Sequence, residues 1–284
     1  MTATIVSSEL IWLAAVLLVA GALTGFFAGL FGVGGGAIVI PVIYEVFRVI
    51  GVPEEVLMPL CVGTSLAVIV PTSISSFMAH RRRGAVDLSV LRRWAVPVVV
   101  GVILGSYIAR FAPEQLFKIV FVAIAGISTI RLLFARDNWR LGEDFPKGPL
   151  MSFYGFITGL LSTLMGIGGG QLSNLFMMFY GRPIHQAIAT SSGLGVLISI
   201  PATIGYIYAG WGKAAAFPDV TALQFPFAIG YVSLIGAALI MPTSALVAPL
   251  GARLAHRMSK RQLEIGFGLF LMTVSLRFLI SLIW

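Results

Sequence analysis

The run from Leu10 to Phe31 contains no charged residue, and comparable runs recur along the whole chain. A helix crosses the hydrocarbon core of a bilayer in roughly 20 residues, so several of these runs are long enough to span it. A soluble core would not absorb them, because 58% of the 284 residues are hydrophobic and only 11% are charged, whereas soluble domains carry about a quarter charged residues. The chain is therefore predicted to be an all-α integral membrane protein, with the lipid bilayer as its solvent. Its first Lys or Arg is Arg48, so the opening run lacks the basic flank of a cleavable secretory signal and is expected to remain a membrane segment.

Breakers divide the apolar sequence into segments near 10–31, 37–50, 56–79, 94–112 and 116–135, then 149–165, 171–181, 185–210, 226–252 and 263–284. Between the two sets lies the longest polar stretch, Arg136 to Lys147. The expected organisation is a first repeat over 1–135, a polar cytoplasmic linker over 136–148 and a second repeat over 149–284.

The two halves resemble each other. Thr24-Gly-Phe-Phe-Ala-Gly-Leu-Phe-Gly-Val-Gly-Gly-Gly36 aligns without gaps on Thr158-Gly-Leu-Leu-Ser-Thr-Leu-Met-Gly-Ile-Gly-Gly-Gly170, with seven of thirteen positions identical at an offset of 158 − 24 = 134. Thr64-Ser65 matches Thr190-Ser191 at 190 − 64 = 126, the same offset brings Gly84 onto Gly210, and Leu104-Gly105 matches Leu250-Gly251. Internal repeats of this kind build many secondary transporters, whose binding sites form near the midplane at the repeat interface.

Charge gives the expected orientation. After the third segment the first half carries Arg81, Arg82, Arg83, Arg92 and Arg93, where the second half has only Lys213. One loop later the second half carries Arg253, Arg257, Lys260 and Arg261, where the first has Arg110 and Lys118. Since basic residues concentrate in cytoplasmic loops, this swap is what two inverted-topology repeats produce. The loops after segments 3, 5 and 9 are then cytoplasmic, and both termini, with Glu9, Glu54 and Glu55, lie outside. The net charge of +8 is taken as this topology signal, with anion attraction secondary, and no nucleic-acid partner is expected.

Segments 2 and 7 run about 14 and 11 residues, or roughly 21 and 16 Å, against a core of about 30 Å. They are too short to span, and each follows a Gly-x-Gly-Gly-Gly break. Broken backbone at membrane depth persists only where it is buried in protein or lines a hydrated cavity. Such a break followed by a helix can present several N–H groups and the positive end of the helix dipole to an anion, and glycine lets the ligand come close. The candidate substrate-binding residues are therefore Gly32, Gly34, Gly35 and Gly36 in one break and Gly166, Gly168, Gly169 and Gly170 in the other. The same glycines also serve tight helix crossing.

Four hydroxyls at repeat-related positions, Thr64, Ser65, Thr190 and Ser191, either donate to an anion's oxygens or bond their own helix backbone. Gln171 and Asn174 share one helical face just after the second break, where their amides act as ligand donors or as interhelical glue. Glu45 and Arg48 are spaced to pair across a turn, and their position near Pro53 and Glu54 favours a neutralised interfacial pair. The single cysteine, Cys61, has no partner for an intrachain disulfide, and His80, His185 and His256 all lie at segment ends. No metal site or cofactor is expected. With no nucleophile elbow, HExxH or P-loop, the chain is not expected to be an enzyme.

Gly29-Leu-Phe-Gly-Val-Gly-Gly-Gly36 and Thr163-Leu-Met-Gly-Ile-Gly-Gly-Gly170 resemble the paired signatures of the TauE/SafE sulfite exporter family, also called the toluenesulfonate uptake permease (TSUP) family. Gly63-Thr-Ser-Leu66, His80-Arg-Arg-Arg-Gly84, Ile229-Gly-Tyr-Val232 and Pro249-Leu-Gly-Ala-Arg-Leu-Ala-His256 extend the resemblance over nearly the whole chain. It implies a multi-pass permease of a bacterial or archaeal cytoplasmic membrane. Its cargo would be small organosulfur compounds or anions such as sulfite, sulfoacetate or other sulfonates. The expected function is secondary transport by alternating access, with H+ or Na+ as the possible coupling ion and a homodimer as a possible assembly. The alternatives are a passive anion channel and a non-transporting scaffold or enzyme subunit.

Overall fold

A computed structural model describes residues 2–31, 36–134, 141–142, 144–146, 148–211, 227–255 and 257–283. Ten helices and one two-stranded hairpin make up the described residues: α1 Thr2–Phe31, α2 Gly36–Val49, α3 Glu54–Arg82, α4 Leu88–Phe111, α5 Glu114–Phe134, α6 Pro149–Met165, α7 Gly170–Phe179, α8 Ile184–Ala209, β1 Ala228–Ile229, β2 Val232–Ser233, α9 Leu234–Ala255 and α10 Lys260–Ile283. The protein is all-α and multi-pass. Seven of these helices, α1, α3, α4, α5, α8, α9 and α10, are long and apolar enough to cross a membrane.

The short segments are as brief as the breakers predict. Helix α2 has 14 residues and α7 has 10, about 21 and 15 Å at 1.5 Å per residue. At α4 a polar cap carries the helix past its apolar run. Helix α4 starts at Leu88, six residues before the run at 94, since the Asp87 carboxylate accepts from the N–H groups of Ser89 and Val90. The segment expected over 226–252 begins instead with the β1–β2 hairpin, which turns at Gly230 (φ 58°) and is held by the Tyr231 N–H on the Tyr206 carbonyl at 3.1 Å.

Helix α1 packs along α9, α4 along α6, α3 along α8 and α5 along α10. Exchanging α1–α5 for α6–α10 in order maps the first pair onto the second and the last two onto themselves. The contacts match at residue level as well. A Cβ on Gly25 of α1 would strike the backbone of Ser244 in α9, and one on Gly159 of α6 would strike the carbonyl of Val98 in α4. The absent side chains are what allow these helix axes to approach.

Helices α3 and α8 form the buried centre. In α3 an unbroken stretch from Val56 to Leu66 is buried, Cys61 included. Trp94, Phe47, Phe117, Phe121, Tyr206 and Phe278 are the largest side chains fully enclosed around it.

Candidate functional site

The second glycine break is an ordered left-handed turn. Gly166 closes α6 with φ 64°, and its N–H returns to the Ser162 and Thr163 carbonyls. Gly168 (φ 63°) and Gly169 (φ 80°) follow, and Gly169 is the N-cap of α7. Left-handed backbone costs roughly 1–2 kcal/mol per residue for any side chain bearing a Cβ, so three such positions in four residues require glycine. There is also no room for a side chain. A Cβ on Gly168 would lie 2.8 Å from the Ile69 Cγ2, and one on Gly169 would strike the Ile198 Cδ1.

The start of α2 meets the second break. Gly36, the first residue of α2, sits so close to the second break that a Cβ there would lie 2.5 Å from the Ile167 Cα and 2.9 Å from the Gly166 carbonyl oxygen. Gly32, Gly34 and Gly35 lie outside the described residues. The turn is walled by α3 and α8: Ser65 of α3 donates to the Gly166 carbonyl at 2.8 Å, and Gly195 of α8 faces both Ser73 and the Gly168 carbonyl. Residues 166–169 are all buried.

Around this turn stand polar groups without partners. Gln171, 6% exposed, has neither its amide nitrogen nor its amide oxygen hydrogen-bonded among the described residues, and Asn174 Oδ1, one turn on, is also unpaired. Ser162, in the last turn of α6, and Ser199, beside Ile198 on α8, are 1% and 0% exposed with free hydroxyls. Each unpaired buried group costs about 1–3 kcal/mol, and native structures leave few of them. Donors and acceptors left open at one glycine turn are the chemistry an oxyanion or water needs.

The other predicted hydroxyls divide by role. Thr64 Oγ1 accepts the Ser233 N–H at 2.9 Å, and Thr190 Oγ1 accepts the Asp87 N–H at 2.9 Å. Both hydroxyls therefore fasten α3 and α8 to the start of a helix in the other half. Ser191 donates to its own helix at the Ile188 carbonyl, 3.0 Å away, so among the described residues Ser65 is the one of these four hydroxyls that bonds the second break. Glu45 bonds Arg48 at 2.9 Å, as the expected pair requires, and also Arg277 at 3.0 Å, with all three side chains well exposed. No group of three or more His, Cys, Asp or Glu that could hold a metal occurs among the described residues. His80 and His185 sit in the last turn of α3 and the first turn of α8, and His256 lies outside the described residues.

Comparison with known proteins fixes the lineage. The family model "Sulfite exporter TauE/SafE" matches residues 17–278. The chain belongs to the TauE/SafE family. A probable membrane transporter protein of Haemophilus influenzae is 33% identical over 261 residues, covering 91% of this chain and 95% of its own. One of Methanocaldococcus jannaschii is 28% identical over 90% of this chain and 92% of its own, and one of Bacillus subtilis is 26% identical over 69% and 78%. No solved structure matches. This TauE/SafE chain is a membrane transporter and not an enzyme.

Two unpaired buried hydroxyls were missed by sequence reasoning, Ser162 and Ser199. Ser162 stands inside the repeat signature four residues before Gly166, and that spacing was a signal that could have found it. Ser199 has no comparable mark; it follows Ile198 and stands one turn beyond Gly195, the α8 residues that meet the turn.

Proposed function

We propose that this TauE/SafE protein is a secondary transporter that carries small organosulfur anions, such as sulfite, sulfoacetate or other sulfonates, by alternating access. The observation that carries the reading is the meeting of Gly36 with the Gly166–Gly169 turn beside the unpartnered amide of Gln171. The substrate site comprises both breaks, with Gln171, Asn174, Ser162 and Ser199 as polar donors; α7 adds its N-terminal N–H groups and dipole. A sulfonate's three oxygens suit such a convergent set.

Two contacts favour inverted repeats. Tyr44, past the middle of α2, touches Glu114 in the first turn of α5, whereas Leu175, past the middle of α7, touches Arg131 in the last turn of α5. These positions are 131 − 114 = 17 residues apart, about 25 Å along a helix. Helices α2 and α7 therefore start together at the centre and run to opposite ends of α5, as half-helices entering from opposite sides do. With the basic loops inside, α2 faces the outer side and α7 the cytoplasm, and both termini are outside. The burial of residues 166–169 favours a carrier over an open channel.

The test is uptake of radiolabelled sulfite, sulfoacetate and methanesulfonate into proteoliposomes holding the purified protein. Saturable, counterflow-accelerated uptake of one of them is expected. Absence of flux for every organosulfur anion, with folded protein in the vesicles, would overturn the assignment.

A further inference from the structure

On the flank of the bundle an apolar groove of about 390 Å³ runs between α1, α2 and α10. Val16, Val19 and Leu23 of α1, Pro41 and Val42 of α2 and Phe270 of α10 line it, and Glu45 of α2 is the charged residue among its walls. Val19 and Leu23 are 59% and 47% exposed, so the groove opens outward to the hydrocarbon of the bilayer.

Glu45 brings two guanidiniums to this groove, Arg48 of α2 at 2.9 Å and Arg277 of α10 at 3.0 Å. Two positive charges against one carboxylate leave one positive charge in excess. Arg48 gives Nε and one Nη to Glu45, and Arg277 gives one Nη. Each guanidinium carries more N–H donors than the carboxylate takes, and neither has a further partner among the described residues. The two side chains are 51% and 39% exposed. Arg48 stands in the last turn of α2, and Arg277 lies 277 − 270 = 7 residues beyond Phe270 on α10, about 10 Å nearer the helix end. The charged cluster therefore caps the shallow end of the groove, within reach of the headgroup layer for side chains as long as arginine.

We propose that this groove binds one anionic phospholipid, with an acyl chain along the apolar wall and the phosphodiester on Arg48 and Arg277. A phosphodiester carries a single negative charge, which matches the excess of the cluster. Guanidiniums bind phosphate oxygens through paired, charge-assisted hydrogen bonds. A zwitterionic headgroup suits the cluster less, because its ammonium adds positive charge where one is already in excess. Free phosphate lacks the chain that fills the groove. Binding needs no rearrangement, since the groove and the spare N–H donors are both open. The lipid lies against α2, a helix too short to span the core, whose first residue Gly36 meets the second break.

The test adds dioleoyl phosphatidylglycerol, dioleoyl phosphatidylcholine or inorganic phosphate to the delipidated full chain in detergent and follows thermal unfolding, since a ligand of the folded state raises the midpoint. Phosphatidylglycerol should act at lower concentration than phosphatidylcholine, and phosphate should have no effect. Arg48→Gln with Arg277→Gln should raise the phosphatidylglycerol concentration needed by about tenfold or more. Arg92→Gln with Arg93→Gln, the same change in net charge at two exposed positions of α4, should leave it unaltered. Val19→Trp, which fills the groove and keeps both arginines, should weaken the response as well. A measurement without variants covers any that misfold: phosphatidylglycerol with a diazirine on one acyl chain is irradiated with the parent protein in proteoliposomes. Adducts should concentrate on the groove residues of α1 and α2. Equal action of the two lipids, stabilisation by phosphate alone, an undiminished response in the Arg48–Arg277 variant or in Val19→Trp, or adducts spread evenly over α4 and α5 would each overturn the proposal.

Discussion

The Ser65 hydroxyl, on α3, donates to the carbonyl of Gly166 at 2.8 Å across 101 residues of sequence. This one bond satisfies a carbonyl that the break in α6 would otherwise leave buried without a partner, and it fixes the turn from the opposite half. Replacing Ser65 by Ala should destabilise the protein by about 1–3 kcal/mol, the cost of an orphaned buried acceptor. Thermal unfolding in detergent would show it, and an unchanged midpoint would contradict it.

Gly169 has no latitude. Its φ of 80° and the contact with Ile198 exclude a side chain, so Gly169→Leu should abolish transport in protein that still inserts, and Gly35→Leu should do the same if the first break is built alike. Uptake normalised to the amount of membrane-inserted protein is the measurement. Normal rates in both variants would remove the glycine breaks from the substrate site.

Gln171 separates function from stability. Replacing it with Leu removes two unpaired polar atoms from the interior, so the variant should unfold at a higher temperature than the parent. The same change should weaken substrate binding at least about tenfold, equivalent to about 1.4 kcal/mol, read as loss of ligand-induced thermal shift. A variant that is less stable and binds normally would show the amide to be structural glue.

Thr64 and Thr190 should behave as twins. Each accepts one backbone N–H of the other half at 2.9 Å, so Thr64→Val and Thr190→Val should each cost about 1 kcal/mol. Their effects on transport rate should be smaller than those of Gln171→Leu. Chemical or thermal unfolding of the two single variants and the double variant would measure both cost and additivity.

Orientation can be read directly. In a Cys61→Ala background, a cysteine at Gly51 should react with an impermeant reagent added outside intact cells, and one at Arg83 only after the membrane is opened. The reverse pattern would invert the assignment of sides.

Much of this architecture was legible because membrane helices declare themselves in composition. The breakers placed α2 and α7 close to their final bounds, and the glycine signatures placed the turn from Gly166 to Gly170. What sequence could not supply was the destination of each hydroxyl. Thr64, Ser65, Thr190 and Ser191 look equivalent along the chain, yet two of them cap loops of the other half, one braces the turn and one bonds its own helix. These choices depend on which backbone groups the crossing helices leave unpaired. Likewise Glu114 and Lys118 read as loop-edge charges, and only the fold of α2 against α5 buries them. The hairpin before α9 was hidden because Ile229-Gly-Tyr-Val232 is as apolar as the helix that follows it.

Helix α5 grips α2 through Glu114 at its first turn and α7 through Arg131 at its last. Under the proposed alternating access, a stiff rod fastened at its opposite ends to α2 and α7 would make their movements exclude each other, a tilt that frees one pressing the other shut. A leak would need both to open at once, and the rod would be the safeguard against it.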